Sequence, residues 1–302
     1  MFQKNVLLKN HTSFKIGGPA KYFFEARNLK DLIKALKEAK KTKIPIFILG
    51  GGTNLLVNDK GYEGLVLKIK TAKYKITNKT ITTEAGVSLA EIVGASLKAG
   101  LTGLDWAVGI PGTLGGAVYG NCGAFGSSIS KTIKNIVALN TENLKIKKYS
   151  NKQCRFSYRR SVFEENKDVI LSMELRLEKN KSKINLETIK EYLKRRKERI
   201  SIYPSAGSIF KNMRFENLNK KTQKLIPEEK IKGGMLSAGY LVESCGLKGK
   251  RIGGAKISEK QANIIVNFKK AEAKDVSALI DLAKKQVKKK FGIALKEEII
   301  MI

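Results

Sequence analysis

The glycine-rich segment "GIPGTLGGAVYGNCGAFG" (109–126) constrains the fold more than any other part of the sequence. A second such segment, "ILGGGTNLLV" (48–57), continues a short apolar run that is typical of a buried strand. Because glycine has no Cβ, its backbone can turn sharply and approach a ligand closely. Successive backbone N–H groups in such turns form concave clusters that suit a pyrophosphate. Two of these segments in one chain favour a nucleotide-like cofactor over ordinary turns.

Neither segment has the spacing of a familiar phosphate-binding fingerprint, because both the G-x-G-x-x-G and the G-x-x-x-x-G-K-[ST] patterns are absent. The flanking sequence predicts short helices and strands in alternation. One helix falls within 28–43, with Asn28 as its N-cap. Another opens at Ser88, with Glu91 completing a capping box, and stops at Gly100. The pattern predicts an α+β fold.

Length and a polar break predict two domains. A chain of 302 residues is long for a single domain. The polar run "EKNKSKIN" precedes an amphipathic helix at 186–200, which places the boundary near residue 182. We therefore expect a first domain over 1–182, with subdomains of about 1–70 and 71–182, and a second over 183–302. A long helix and a last strand, "ALKEEIIMI", close the second domain.

Charge and composition narrow the class of protein. The net charge of +32 could indicate nucleic acid or a membrane surface, but lysines are spread over nearly every segment. No apolar run approaches the ~20 residues of a bilayer span, and no signal peptide is evident. Cys122, Cys154 and Cys245 form no C-x-x-C pair, and His11 is the only histidine, so no metal site is expected. These features predict a cytoplasmic protein.

The segment "PSAGSIFKN" is the first of three candidate sites outside the glycine-rich segments. Ser208 follows a glycine, so its hydroxyl could stand at an open position of the backbone. Lys211 and Asn212 could add a charge and an amide nearby. The ordinary alternative is a turn that enters a strand.

The other two candidates are an arginine and a pair of glutamates. Tyr158 and Arg159 lie between apolar residues in "CRFSYRRSVF", which has the character of a strand. An arginine held in a cleft would bind a carboxylate through two hydrogen bonds, whereas an exposed strand arginine is the common case. Glu297 and Glu298 lie in the apolar last strand, where alternation turns only one of them inward.

Taken together, the segments resemble one enzyme family. The order of motifs is that of UDP-N-acetylenolpyruvoylglucosamine reductases: "TSFKIGGPA", the two glycine-rich segments, "FSYRRSVF", "PSAGSIFKN", "LVESCGLKGKRIGGAKISEKQANIIVN" and "LKEEI". The match runs from end to end. The chain resembles the shorter class of the family, which lacks an inserted tyrosine loop. It implies non-covalent FAD in a two-part domain of the vanillyl-alcohol-oxidase type, NADPH as reductant, and a C-terminal α+β substrate domain. The implied reaction reduces UDP-N-acetylglucosamine enolpyruvate to UDP-N-acetylmuramate in peptidoglycan synthesis.

The same resemblance, taken motif by motif, implies the site residues. The Y-R-x-S-x-F motif gives Arg159, G-S-x-F-K-N gives Ser208 as proton donor, and L-x-x-E-[IV] selects Glu298. The implied cofactor contacts are Gly50, Gly51, Gly52, Thr53, Asn54, Leu55, Gly109, Pro111, Gly112, Gly115, Gly116, Ala117, Asn121 and Gly123. The implied substrate contacts are Tyr158, Lys211, Asn212 and Glu243, with Arg195 and Arg196 as further candidates for the UDP phosphates.

Three positions depart from the family pattern. Met213 stands where proline is usual, Arg199–Ile200 where Gln-Pro is expected, and Gln261 where histidine is frequent. None of them is an implied catalytic position. The resemblance implies a monomer that works on small molecules, without a nucleic-acid or membrane partner.

Two rival functions stay open on the sequence. One is another flavoenzyme of the same fold, which oxygen consumption would reveal. The other is a basic nucleic-acid-binding protein, which would be colourless and would bind with a strong salt dependence.

Overall fold

The structure is a computed structural model that describes residues 2–179 and 186–302. Helices and strands are mixed along the whole described chain, in keeping with the α+β prediction. The α-helices are α1 (Leu29–Lys41), α2 (Leu89–Lys98), α3 (Leu114–Tyr119), α4 (Phe163–Asn166), α5 (Leu186–Arg199), α6 (Lys220–Gln223), α7 (Ala238–Ser244) and α8 (Ala273–Phe291). Short 3₁₀ helices cover Leu8–His11, Asp105–Ala107, Ile129–Lys131, Lys152–Cys154, Phe215–Asn217 and Glu228–Lys230.

Most of the strands are short. In chain order they are β1 (Gln3–Leu7), β2 (Pro19–Ala26), β3 (Ile46–Leu49), β4 (Leu55–Leu56), β5 (Tyr62–Ile69), β6 (Tyr74–Thr77), β7 (Thr80–Glu84), β8 (Leu101–Thr102), β9 (Gly123–Ala124), β10 (Ser127–Ser128), β11 (Ile133–Leu139), β12 (Ile146–Ser150), β13 (Val169–Arg176), β14 (Glu178–Lys179), β15 (Ser205–Ser208), β16 (Met213–Arg214), β17 (Ile231–Lys232), β18 (Met235–Leu236), β19 (Arg251–Ile252), β20 (Ala255–Ile257), β21 (Ile264–Asn267) and β22 (Ile300–Met301).

The chain forms two compact units that are interleaved in sequence. The first unit comprises Met1–Val6, Ala20–Gly51 and Glu63–Arg196, and the second comprises Leu7–Pro19, Gly52–Tyr62 and Lys197–Ile302. This division differs from the predicted domains 1–182 and 183–302, because two early segments join the second unit and the last crossing falls within α5. Residue 182 itself lies outside the described residues.

The first unit is built on two larger sheets around one core. In one of them the strand order is β12-β11-β13-β7-β6, with antiparallel pairing throughout. The other has the order β1-β2-β5-β3 and contains the parallel pair β3–β5. Helix α1 packs on the core through an i, i+3, i+4, i+7 stripe, which is the periodicity of an amphipathic helix. The buried positions of that stripe are Leu32, Ala35, Leu36 and Ala39.

The second unit has its own sheets and its own core. The sheet β15-β21-β20-β19 carries α8 on the core side, and the small sheet β16-β18-β17 lies in the segment between β15 and α7. The predicted stripe of α8 is buried as expected: Val276, Leu279, Ile280, Ala283, Val287 and Phe291. The last strand is shorter than predicted, since only Ile300–Met301 pairs as a strand, in parallel with β4.

One predicted helix start is wrong in its detail. Asn28 caps α1, because its side chain accepts a hydrogen bond from the N–H of Asp31. Ser88 precedes α2, but its side chain makes no capping bond. Instead, its backbone forms an isolated antiparallel bridge with Thr113, so a tertiary contact replaces the local capping box.

Across residues 2–179 and 186–302, no helix combines the length and the apolar character needed to cross a bilayer.

Candidate functional site

The two glycine-rich segments meet in the first unit. A Cβ atom on Gly51 would lie 2.8 Å from the Cα of Gly112, and one on Gly50 would lie 2.6 Å from Oγ1 of Thr113. Any larger residue at either position would therefore push the two segments apart. The hydroxyl of Thr113 accepts a hydrogen bond from the N–H of Gly116 at the start of α3. The sequence predicted that both segments bind a nucleotide-like cofactor, and the structure brings the two segments together.

Arg196 lies against this glycine-rich region. Its Nη2 donates to the carbonyl of Trp106 at 3.2 Å, and its guanidinium lies 5.3 Å from the ring centroid of Phe125. Its Nε is buried and has no hydrogen-bond partner within the described chain. Burial lowers the pKa of the guanidinium. An anionic group beside it would satisfy the orphaned N–H, so this region fits a phosphate-bearing cofactor.

The remaining part of the first glycine-rich segment belongs to the second unit. A Cβ atom on Gly52 would lie 2.1 Å from the carbonyl oxygen of His11, so this position needs glycine for packing. Asn54 donates through Nδ2 to the carbonyl of Glu298 at 3.0 Å. Leu55 is buried in β4, which pairs with β22. The segment 50–55, predicted as one cofactor loop, is thus divided between the two units at Gly51.

Arg159 lies on a tight turn, and the predicted strand around it is wrong. Ser157 and Arg160 each donate a backbone N–H to the other's carbonyl at 3.2 Å, which closes the turn. Arg159 has a φ of +54°, a left-handed conformation that an extended strand excludes. The ring centroid of Tyr158 lies 5.1 Å from the Arg159 guanidinium carbon.

This turn is fixed to the second glycine-rich segment by side-chain hydrogen bonds. Asn121, with only 6% of its surface exposed, donates through Nδ2 to the carbonyl of Ser157 at 2.8 Å. Arg159 donates through Nη2 to the carbonyl of Gly123 at 2.8 Å, and Ser161 donates to the carbonyl of Tyr119 at 2.6 Å. The predicted cofactor residues Asn121 and Gly123 therefore act at least in part by holding the arginine turn.

Ser208 ends β15 in the second unit, directly after a β-bulge. Ser205 pairs with Val266 and Ser208 pairs with Ile264, so two residues of β15 lie opposite one residue of β21. Gly207, inside the bulge, has a φ of +77°. A bulge of this kind bends the strand and changes the direction of the next side chain. Ser208 itself is half-buried.

Glu298 lies alongside this strand in the same unit. Its N–H donates to the carbonyl of Ile209 at 2.7 Å, and the N–H of Lys211 donates to the carbonyl of Lys296 at 2.8 Å. The structure thus brings the backbones of Ser208 and Glu298 close together. Glu297 forms an ion pair with Lys284.

Other predicted residues have clear packing contacts. Asn212 accepts through Oδ1 from the N–H of Ala238 at the start of α7, at 3.0 Å. Glu243 forms an exposed ion pair with Lys248 at 2.7 Å. A Cβ on Gly115 would lie 2.9 Å from that of Ala85, and Ala117 is buried in α3.

One residue near Ser208 was not assigned a role from the sequence. Asn263 lies immediately before β21 and only 5% of its surface is exposed. Its side chain bonds to both backbone polar groups of Phe210. The available signal was an asparagine directly before the apolar run "IIV", since a buried amide must find partners.

Comparison with known proteins defines the class first. A family model described as "FAD binding domain" matches residues 20–141. A second model, "UDP-N-acetylenolpyruvoylglucosamine reductase, C-terminal domain", matches residues 198–302. A flavin-binding domain joined to a reductase domain makes the chain an FAD-dependent oxidoreductase.

Whole-chain relatives then define the family. The UDP-N-acetylenolpyruvoylglucosamine reductase of Caldanaerobacter subterraneus subsp. tengcongensis is 40% identical over 99% of this chain and 92% of the relative. That of Caldicellulosiruptor bescii is 41% identical over 100% of this chain and 90% of the relative. The crystal structure of the Thermus caldophilus reductase covers 100% of this chain and 99% of that one, with a TM-score of 0.80 and 28% identity. The chain belongs to the UDP-N-acetylenolpyruvoylglucosamine reductase family.

These matches confirm the predicted family, the fold class and the dependence on FAD. The chain is a flavoenzyme of peptidoglycan synthesis that reduces the enolpyruvyl group of UDP-N-acetylglucosamine enolpyruvate.

Proposed function

We propose that NADPH is the reductant, that Ser208 is the proton donor, and that Arg159 and Glu298 stabilise the charge that develops on the substrate. The observation that carries the proposal is the placement of Ser208 on a bulge beside the backbone of Glu298. Bound FAD, which the backbone of the two glycine-rich segments would hold, would supply hydride transfer between NADPH and the enolpyruvyl group.

Ser208 completes the reduction. Hydride addition to the terminal carbon leaves negative charge on the adjacent carbon and on the substrate carboxylate. The Ser208 hydroxyl gives its proton to that adjacent carbon, and solvent later restores the hydroxyl. A serine hydroxyl is a weak acid, but a carbanionic partner is a strong base, so the transfer runs downhill.

Arg159 and Glu298 act on the charge. The Arg159 guanidinium is permanently cationic, and it can hold a carboxylate through two hydrogen bonds. Its attachment to the Gly123 carbonyl and the closed turn beneath it support a fixed orientation. The Glu298 carboxyl group is proposed to lie beside the developing enediolate, with its backbone held by the hydrogen bond to Ile209. Charge stabilisation by groups that are already oriented is the largest contribution in many enzymes.

The remaining predicted residues bind rather than react. We propose that Tyr158, Lys211, Asn212 and Glu243 contact the substrate, with Arg195 as a candidate for its phosphates. Arg196, the other candidate from the sequence, lies against the glycine-rich region and is proposed for the FAD phosphates instead. We propose that the backbone of the two glycine-rich segments binds FAD. The close approach of the two segments supports this, and so does the buried Nε of Arg196, which has no hydrogen-bond partner within the described chain. We also propose a flavin domain over residues 1–182 and a substrate domain over residues 183–302.

We further propose a cytoplasmic monomer. The single chain carries both matched family domains, and its cysteines Cys122, Cys154 and Cys245 are free thiols, as a reducing compartment requires.

The test separates the two half-reactions of a Ser208→Ala variant without oxygen. NADPH should still bleach its flavin, because that step does not use the serine. Return of the yellow band on adding UDP-N-acetylglucosamine enolpyruvate should slow by about 10²- to 10⁴-fold, the usual contribution of a positioned proton donor. Stopped-flow absorbance measures both rates.

A matched serine provides the control. Ser205 lies on the same strand, three residues earlier, and is also half-buried. Ser205→Ala should leave both half-reactions intact. Normal reoxidation of the Ser208→Ala flavin would refute the proton-donor role, and bleached wild-type flavin that reacts only with oxygen would point to an oxidase.

A further inference from the structure

The side chain of Asn263 pairs with a neighbouring backbone as a strand would. Its Oδ1 accepts from the N–H of Phe210 at 2.9 Å, and its Nδ2 donates to the carbonyl of Phe210 at 2.8 Å. Its own carbonyl accepts from the N–H of Ile209 at 2.8 Å. One residue thus holds three of the four backbone polar groups of residues 209–210, and the N–H of Glu298 holds the fourth.

The position of this contact is a junction between two pairings. The register of β15 with β21 ends at Ser208–Ile264. After Ser208, the chain forms backbone hydrogen bonds with the C-terminal segment. The Ile209 carbonyl accepts from the N–H of Glu298, and the N–H of Lys211 donates to the carbonyl of Lys296. Phe210, which is 2% exposed, lies opposite Glu297 in an isolated antiparallel bridge, and the Asn263 amide satisfies its N–H and its carbonyl.

We propose that Asn263 is a positioning residue for proton transfer by Ser208. The Asn263 amide holds the backbone of residues 209–210 in place. Because Ser208 directly precedes this backbone, the position of its hydroxyl is held as well. The same amide also holds the Ile209 carbonyl, which accepts a hydrogen bond from the N–H of Glu298. The inference rests on the proposed role of Ser208. A displacement of about 1 Å at a reacting group can cost on the order of 10²-fold in rate, so the clamp has a kinetic consequence beyond its contribution to folding.

The chain offers a matched asparagine as control. Asn267 ends the same strand, and its side chain also bonds to backbone on both sides. Its Nδ2 donates to the carbonyls of Phe14 and Lys15 at 3.3 Å, and its Oδ1 accepts from the N–H of Ala271 at 2.9 Å. These bonds brace the second unit at a place other than residues 209–210.

The experiment compares the FAD-loaded Asn263→Ala, Asn263→Asp and Asn267→Ala enzymes by anaerobic stopped flow. In Asn263→Ala, reoxidation by UDP-N-acetylglucosamine enolpyruvate should slow by about 10- to 100-fold, while reduction of the flavin by NADPH keeps the wild-type rate. The solvent deuterium isotope effect on reoxidation should grow, because proton transfer becomes slower relative to hydride transfer. Asn263→Asp keeps the acceptor but places an oxygen against the Phe210 carbonyl, so it should do no better than alanine.

Asn267→Ala should lower the thermal midpoint, but it should not slow one half-reaction more than the other. If Asn263→Ala does not fold, Asn263→Ser, which still carries a donor and an acceptor, takes its place in the same comparison.

Two results would overturn the inference. One is a folded Asn263 variant that slows both half-reactions equally, and the other is one that loses only stability. If Ser208→Ala itself reoxidises normally, the proposed function fails and this inference with it. If Ser208→Ala is blocked while Asn263→Ala reoxidises normally, only the inference fails.

Discussion

Gly207 and Gly94 are two glycines with room for a side chain but with different backbones. A Cβ atom on either would meet no other atom within 4 Å. Gly94 lies in the middle of helix α2, in a conformation that any residue adopts. Gly207 has a φ of +77° in the bulge before Ser208. Since neither substitution creates a clash, conformational preference alone separates them.

Alanine at these two positions should change stability in opposite directions. Gly207→Ala should lower the free energy of unfolding by about 1–2 kcal/mol, the cost of a left-handed conformation for a residue with a Cβ. Gly94→Ala should raise it by about 0.5–1 kcal/mol, because alanine favours a helix interior more than glycine does. Urea denaturation of the two variants measures both values. Equal stability of Gly207→Ala and wild type would show that the bulge relaxes to a different backbone conformation.

At the scale of the element, two helix starts show what a local pattern misses. Asn28 and Ser88 are both good N-cap residues by type and position. The Asn28 side chain accepts from the Asp31 N–H at 2.9 Å. Ser88 bridges Thr113 through its backbone, and the N–H of Leu89 donates to the carbonyl of Gly112 at 3.0 Å. The start of α2 is therefore held by the second glycine-rich segment rather than by its own cap.

The two N-cap positions should differ when each is replaced by alanine. Asn28→Ala removes a capping bond and should cost about 1 kcal/mol of unfolding free energy. Ser88→Ala removes no capping bond, so its cost should be close to zero. Denaturation curves of the two variants give the comparison. A cost at Ser88 as large as that at Asn28 would contradict the assignment of the α2 start to backbone contacts.

The same distinction explains how much of the fold and the site could be predicted from the sequence. The stripes of α1 and α8 could be predicted, because their periodicity is local and core packing reinforces it. The turn at Arg159 could not, because the Asn121 side chain that holds it comes from 36 residues earlier in the chain. The end of the last strand could not either, because residues 296–298 pair with 209–211 and not with a neighbour in sequence. The motifs identified the candidate residues, but only the structure shows which contacts hold each of them in place.

At the scale of the whole molecule, the excess of positive charge stands out. Lysine and arginine number 59 against 27 aspartates and glutamates. The ion pairs of the described chain lie mostly at the surface. In the pair Lys21–Glu63, for example, the side chains are 50% and 81% exposed. Pairs of this kind contribute about 0–1 kcal/mol each. Repulsion among the many unmatched cations therefore outweighs the attraction within pairs, and it opposes the compact state.

Salt should consequently stabilise this chain. Raising NaCl from about 10 mM to about 150 mM shortens the Debye length from about 30 Å to about 8 Å, which screens repulsion between distant lysines. The thermal midpoint of the FAD-free protein should rise over this range, and KCl at equal ionic strength should act in the same way. With FAD bound the rise should be smaller, because salt also weakens the attraction of a basic protein for an anionic ligand, and ligand binding contributes to apparent stability. Differential scanning fluorimetry with and without FAD measures both effects. A midpoint that falls with salt in the FAD-free protein would mean that the surface ion pairs, and not the excess charge, dominate its electrostatic energy.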